Sequence, residues 1–262
     1  MRGTDFRLNV PPIRPPAPTT LILAIRDLAI RAGAAILAVA PTTVRRKADQ
    51  SPLTLADEAS DAVIVPALAG LTPDIPIVSE ERTPPVLSGP RFWLVDPLDG
   101  TKEFIAGNGE YTVNIALIEH GAPTLGVVHV PSLGQTYYAA GPGQVFRVTG
   151  DGAPVAIAAR QRPIQAIALA SRSHGDPATA AFLAREGISE IRRAGSALKF
   201  CLIAAGEADL YPRFTPTMEW DTAAGHAVLA AAGGSLSTVD GRPLTYGKPG
   251  FRNPDFIARG RP

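Results

Sequence analysis

Apolar residues recur at helical spacing through Ile25, Leu28, Ala29, Ala32, Ile36 and Val39, which predicts a helix that Pro41 ends. A second helix is predicted after a Thr54-x-x-Asp57 capping pattern, carrying Ala59, Ala62, Val63 and Leu68. Short apolar or alternating runs then predict strands at 75–78, 92–95, 112–118, 126–129, 136–140 and 145–148, with a helical turn at 102–105. Gly and Pro separate the last four, as in an antiparallel meander. The second half predicts a strand at 167–170, helices at 179–186, 196–205 and 222–232, a strand at 209–211 and closing strands at 235–237 and 256–258. In the helix at 196–205, Leu198, Cys201, Leu202 and Ala205 share one face. Helices and strands interleave in both halves, so the fold class is α/β and the natural architecture a layered sandwich.

Residues 1–20 stand apart from this pattern. They hold five prolines and three arginines without an apolar run, and are expected to form a flexible, mostly extended tail rather than a secretory signal. The catalytic domain is expected over 21–262, with subdomains at about 21–160 and 161–262. No repeat or low-complexity segment follows the tail.

Composition changes the picture in one respect. With 262 residues, 45% hydrophobic and 19% charged, the chain can bury a substantial core, and its formal net charge of +1 provides no global field for nucleic acid or anionic membrane. An anionic substrate must therefore be captured locally. The longest apolar stretches, near 29–40 and 223–234, are too short or too interrupted to span a bilayer. Cys201 is the only cysteine, which excludes an intramolecular disulfide and fits a reducing cytosol; its apolar setting suggests a small buried hydrophobe.

Candidate chemistry concentrates in four acidic segments. In Trp93-Leu94-Val95-Asp96-Pro97-Leu98-Asp99-Gly100-Thr101-Lys102, an apolar strand delivers Asp96 and Asp99 to a turn that opens a helix. Gly100 permits a close backbone approach, and the amides of Thr101 and Lys102 at the helix start suit a phosphate. Two hard carboxylates beside a phosphate cradle suit Mg²⁺. A capped surface turn would explain either Asp-Pro or Asp-Gly alone, but leaves the whole string with costly unpaired carboxylates.

Val78-Ser79-Glu80-Glu81 follows a short strand, and one glutamate there could bridge metals or simply form an exposed acidic turn. Asp221, before an Ala-rich helix, reads equally as an N-cap or a ligand. Ala223, Ala224 and Gly225 point to close packing at that helix start. Thr54 and Asp57 are explained by capping, whereas Asp49 has no structural task and is a candidate base or outer metal ligand.

These segments resemble the inositol-monophosphatase superfamily over about residues 21–260, with residues 93–105 similar to its first signature and 220–234 to its second. Residues 47–57, 108–118, 195–200 and 211–214 resemble the bacterial 3′(2′),5′-bisphosphate nucleotidases within it. The resemblance implies a layered αβαβα sandwich of the inositol-monophosphatase/fructose-1,6-bisphosphatase type. It also implies hydrolysis of adenosine 3′,5′-bisphosphate to AMP and phosphate, in support of sulfate assimilation. On this resemblance Glu80, Asp96, the Leu98 carbonyl, Asp99 and Asp221 hold two or three Mg²⁺, while Asp49 and Thr101 polarise the attacking water and Glu80 contributes to catalysis. Ala106 stands where the family signature usually has a polar or basic residue, and the loop from 40 to 47 is short for the family.

A second phosphate needs its own cations. Lys199 and Arg213 are the candidates, beside Gly195, Ser196, Asp99, Gly100, Thr101, Lys102, Leu98 and Asp221 as further substrate contacts. A solvated helix face is the competing reading of Lys199. The expected partner is a small nucleotide bisphosphate, with no nucleic acid and no integral membrane segment, in a cytoplasmic monomer or homodimer. Peripheral association with the inner membrane occurs in the family, but no anchor is encoded here. Competing functions are an inositol or other sugar monophosphatase of the same fold, and a non-catalytic phosphate-ligand sensor.

Overall fold

Successive residues of a strand face opposite sides of its sheet, and in the segment Phe92-Trp93-Leu94-Val95 both sides are apolar. Phe92 and Leu94 join one buried cluster, Trp93 and Val95 another, so the strand lies between two cores.

The computed structural model describes residues 18–40, 44–46, 52–172 and 176–262. The first half runs α1 (Pro18–Leu37), β1 (Val44–Arg46), β2 (Pro52–Thr54), α2 (Leu55–Leu71), β3 (Ile77–Ser79), β4 (Arg91–Asp99), α3 (Thr101–Ile105), β5 (Thr112–Glu119), β6 (Ala122–Val130), β7 (Gln135–Ala139), β8 (Val145–Thr149) and β9 (Val155–Ala156). The second runs β10 (Ile167–Ser171), α4 (Pro177–Arg185), β11 (Glu190–Ala194), α5 (Leu198–Ala204), β12 (Leu210–Arg213), α6 (Ala223–Ala231), β13 (Ser235–Thr238) and β14 (Phe256–Arg259).

Strands β3 to β9 form one sheet in chain order, antiparallel except for the parallel β3–β4 pair, and the expected meander is its centre. A second sheet has the order β11-β10-β12-β14-β13, with its first three strands parallel. Helices α1 and α2 cover the outer face of the large sheet, α5 and α6 fill the space between the sheets, and α4 covers the outer face of the small one. The result is the αβαβα sandwich expected from the sequence.

Small residues allow the middle layer to close. A Cβ on Gly126 of β6 would lie 2.5 Å from the Ala227 Cβ and 2.7 Å from the Ala224 carbonyl oxygen, both on α6. A Cβ on Gly225 would meet the ring of Phe200 on α5. The close approach anticipated from Ala223-Ala224-Gly225 is thus made by β6 and α5. Cys201 is buried and free, and burial pushes its thiol well up, consistent with an inert core residue.

Several boundaries differ from expectation. Helix α1 begins at Pro18, inside the stretch assigned to the tail, and residues 1–17 lie outside the described residues. Arg45 and Arg46, expected in a loop, pair with β2 as part of β1. Strand β3 starts at Ile77 rather than Ile75, because the Ile75 amide closes a turn on the Thr72 carbonyl. The helix expected from Ser196 starts at Leu198, since Ser196 has φ of 51°. Strand β11 had no sequence signal: four of its five side chains are exposed. Among the described residues no helix is long and apolar enough to cross a membrane.

Candidate metal centre and substrate cavity

Parallel pairing brings the C-terminal ends of β3 and β4 side by side, with the Glu80 amide donating to the Val95 carbonyl at 3.1 Å. Buried Asp61 steadies this end by accepting from the Ser79 hydroxyl at 2.6 Å and from Arg82 Nε at 2.7 Å. Asp96, 1% exposed, lies where β4 breaks register with β5, and its Oδ1 accepts from the Leu98 amide at 3.1 Å. Asp221 arrives from the other sheet's side, with its Oδ2 accepting from the Met218 amide at 2.8 Å. It is therefore not the side-chain cap of α6, whose first turn has none.

One carboxylate oxygen each from Glu80, Asp96 and Asp221 lie within 4.8 Å of one another. Burial, and then the neighbouring Glu80, push Asp96 well above the usual carboxylate range; burial and Asp99 do the same to Asp221. Three converging hard oxygens in a setting that penalises their negative charge suit a divalent cation. Glu80 lies in the turn after β3 and is half-buried rather than exposed.

Asp99 stands outside this trio. Its Oδ2 accepts from the Ala197 amide at 2.7 Å, Asn114 Nδ2 at 3.2 Å and the Thr112 hydroxyl at 3.4 Å, joining the large sheet to the start of α5. Burial raises it to about 6 against the pull of Lys199. The Leu98 carbonyl faces the Thr101 hydroxyl at 3.5 Å.

Thr54 and Asp57 form the expected capping box. Asp57 Oδ2 accepts from the Thr54 amide at 2.8 Å and its hydroxyl at 2.7 Å, while Oδ1 accepts from the Thr101 hydroxyl at 3.1 Å. This second contact was missed in sequence, because Thr-x-x-Asp spacing cannot reveal a bond made across 44 positions. Asp49 lies outside the described residues.

The acidic trio opens into a cavity of about 270 Å³, which Leu98, Asp99, Gly100, Thr101 and Lys102 also line. Gly100 has φ of 93°, and a Cβ there would strike the Ser196 hydroxyl. That hydroxyl shares its one proton between the Asp99 carbonyl at 2.7 Å and the Glu110 carbonyl at 2.9 Å. Gly195 is set behind the wall, its amide donating to Glu110 Oε2 at 2.8 Å. Arg172 grips the same carboxylate through two 2.7 Å bonds.

Lys199 is 3% exposed, which overturns the solvated-face reading. Its Nζ donates to the Ser196 carbonyl at 2.8 Å and the Ala194 carbonyl at 3.2 Å, and sits 4.9 Å from the Tyr211 ring centroid. Burial lowers its ammonium to about 8, opposed by Asp99. Arg213 lines the same cavity, with Nε directed to the Thr215 carbonyl at 3.3 Å. Glu219 is fully buried and accepts from the amides of Gly247 (2.7 Å) and Lys248 (3.0 Å).

The inositol monophosphatase family is matched over residues 18–257. The 3′(2′),5′-bisphosphate nucleotidase CysQ of Escherichia coli (strain K12) is 48% identical over 239 residues, covering 88% of this chain and 96% of that protein. The protein of the same name from Buchnera aphidicola is 42% identical over 225 residues, 82% of this chain and 83% of that one. The crystal structure of CysQ from Bacteroides thetaiotaomicron superposes with a TM-score of 0.78 at 35% identity, covering 93% of this chain and 98% of that chain. An inositol monophosphatase structure from Thermotoga maritima gives a TM-score of 0.75 at 25% identity, with 92% of each chain covered.

Proposed function

The chain belongs to the inositol monophosphatase family, and on that premise we propose that it is a Mg²⁺-dependent 3′(2′),5′-bisphosphate nucleotidase converting adenosine 3′,5′-bisphosphate to AMP and phosphate. The observation that carries the reading is one cavity lined by both the acidic trio and two cations, Lys199 and Arg213. A divalent-metal site beside separate positive charge fits a substrate with one phosphate to cleave and another to hold. The 48% identity to a protein bearing this name supports the same substrate.

Glu80, Asp96 and Asp221, with Asp99 and the Leu98 carbonyl, are the proposed ligands of two or three Mg²⁺. Bound Mg²⁺ would supply Lewis-acid activation of water and neutralisation of phosphate charge. Thr101, fixed by Asp57, is suited to orient the attacking water by accepting its proton bond; Asp49 is retained as a second candidate for that task. Gly100, Thr101, Lys102 and Ser196 border the space for the cleaved phosphate, with Gly195 supporting the wall from behind. Arg213 can clamp the second phosphate with its planar fork, and Lys199 adds a buried point charge. The cytoplasm and a role in sulfate assimilation fit this chemistry, in a monomer or homodimer.

Phosphate release from adenosine 3′,5′-bisphosphate, inositol 1-phosphate and sugar phosphates, with and without Mg²⁺, tests the proposal. The nucleotide is expected to turn over fastest and only with Mg²⁺; preference for the inositol ester overturns the substrate assignment. Binding without hydrolysis identifies a sensor. Asp96→Asn is expected to abolish Mg²⁺-dependent release, and near-normal turnover refutes the metal site.

A further inference from the structure

The turn that presents Asp221 is gripped from behind by residues 245–253. Backbone bonds join the two segments: the Glu219 amide donates to the Phe251 carbonyl at 2.8 Å, and the Asn253 amide to the Thr217 carbonyl at 3.0 Å. Asn253 is buried, and its Nδ2 reaches the Met218 carbonyl at 2.7 Å, the Thr222 hydroxyl at 3.1 Å and the Thr217 hydroxyl at 3.2 Å. These contacts bracket Asp221 in sequence on both sides. Met218 is also the residue whose amide holds Asp221 Oδ2.

The Glu219 side chain adds to the grip on the same segment. Its buried carboxylate takes the two amides of Gly247 and Lys248, and Lys248 Nζ lies 2.6 Å from Oε1. Tyr246 adds a hydroxyl 3.4 Å from the Thr222 hydroxyl and 3.0 Å from His226 Nδ1. A buried carboxylate two positions before an aspartate, yet bonded to Gly247 and Lys248 instead, fixes the turn without competing for a cation.

We infer that Asn253 and Glu219 are positioning residues that set the Asp221 carboxylate for metal binding. This rests on Asp221 being a Mg²⁺ ligand, as proposed above. A ligand held in its binding geometry before the ion arrives has less conformational freedom to lose on binding, and outer-shell partners commonly change metal affinity by about 10–100-fold.

The test is calorimetric titration of Mg²⁺ into substrate-free enzyme, with thermal midpoints measured in parallel. Asn253→Ala and Glu219→Gln are expected to raise the Mg²⁺ Kd by about tenfold or more, with turnover recovering at saturating Mg²⁺. Leu68→Ala, in the core beneath α2, supplies a destabilised control whose Kd stays at the wild-type value. Should Asn253→Ala fail to fold, Tyr246→Phe removes a single hydroxyl of the same network and is expected to raise the Kd by about tenfold, the lower end for such partners. An unchanged Kd in the clasp variants, while Asp221→Asn loses Mg²⁺, overturns the inference alone. Normal Mg²⁺ binding by Asp221→Asn overturns the ligand assignment and the inference with it.

Discussion

Asp57 performs two tasks with two oxygens, and they can be separated by measurement. Oδ2 closes the capping box of α2, a contribution of about 0.5–2 kcal/mol to stability, while Oδ1 holds the Thr101 hydroxyl beside the acidic trio. Thr101→Val removes only the second contact and is expected to lower kcat by about 100-fold with an unchanged unfolding midpoint. Asp57→Asn should lower both. If Asp57→Asn affects stability but not kcat, the carboxylate is a cap and nothing more. The sequence singles out Asp96 and Asp99 as candidates, because they share a short string whose local chemistry is unusual, whereas Asp221 reads there equally as an N-cap. It does not expose the environment of Lys199, whose burial depends on Tyr211 and on carbonyls folded back over it, nor the alternative commitments of Asp99. Those are properties of tertiary placement, which no spacing rule carries.

At the scale of elements, readability follows burial. Strands β4 and β5 are apolar on both faces because both are covered, and their sequence runs announce it. Strand β11 carries Glu190, Arg192 and Arg193 on exposed positions and is held by parallel pairing with β10, which leaves no apolar pattern to find. The contact between α1 and the large sheet was likewise invisible in its detail. A Cβ on Gly33 would lie 2.5 Å from His129 Cδ2 and 3.1 Å from Pro131 Cγ, so α1 sits directly on the imidazole. Gly33→Ala gains helix propensity but must push these rings apart. A net loss of about 1–3 kcal/mol is expected in urea unfolding, and a gain in stability there shows that α1 can lift away freely.

For the whole molecule, two histidines, His129 buried and His226 half-buried, link stability to pH. Burial lowers His129 to about 4, with Thr136 Oγ1 at 2.9 Å from its Nδ1, and lowers His226 to about 4 within the space between the sheets. In the unfolded chain both take up a proton near pH 6.5, whereas in the fold both stay neutral down to about 4. Stability is therefore fully present above 6.5 and falls as the pH drops from 6.5 to 4. Asp96 and Asp221 act in the opposite sense when no cation is bound, because their raised folded values favour the protonated fold as pH falls. Comparing variants rather than profiles isolates the histidine contribution. His129→Asn keeps a polar group beside Thr136 but has no proton to take up. Between pH 6.5 and 4.5 it is expected to lose about 2–3 kcal/mol less stability than wild type, measured by urea unfolding across that range. His129 lies under α1, so Mg²⁺ at the acidic trio should leave this difference unchanged. Parallel pH profiles for the two proteins would mean that the imidazole reaches water in the folded state and is protonated there.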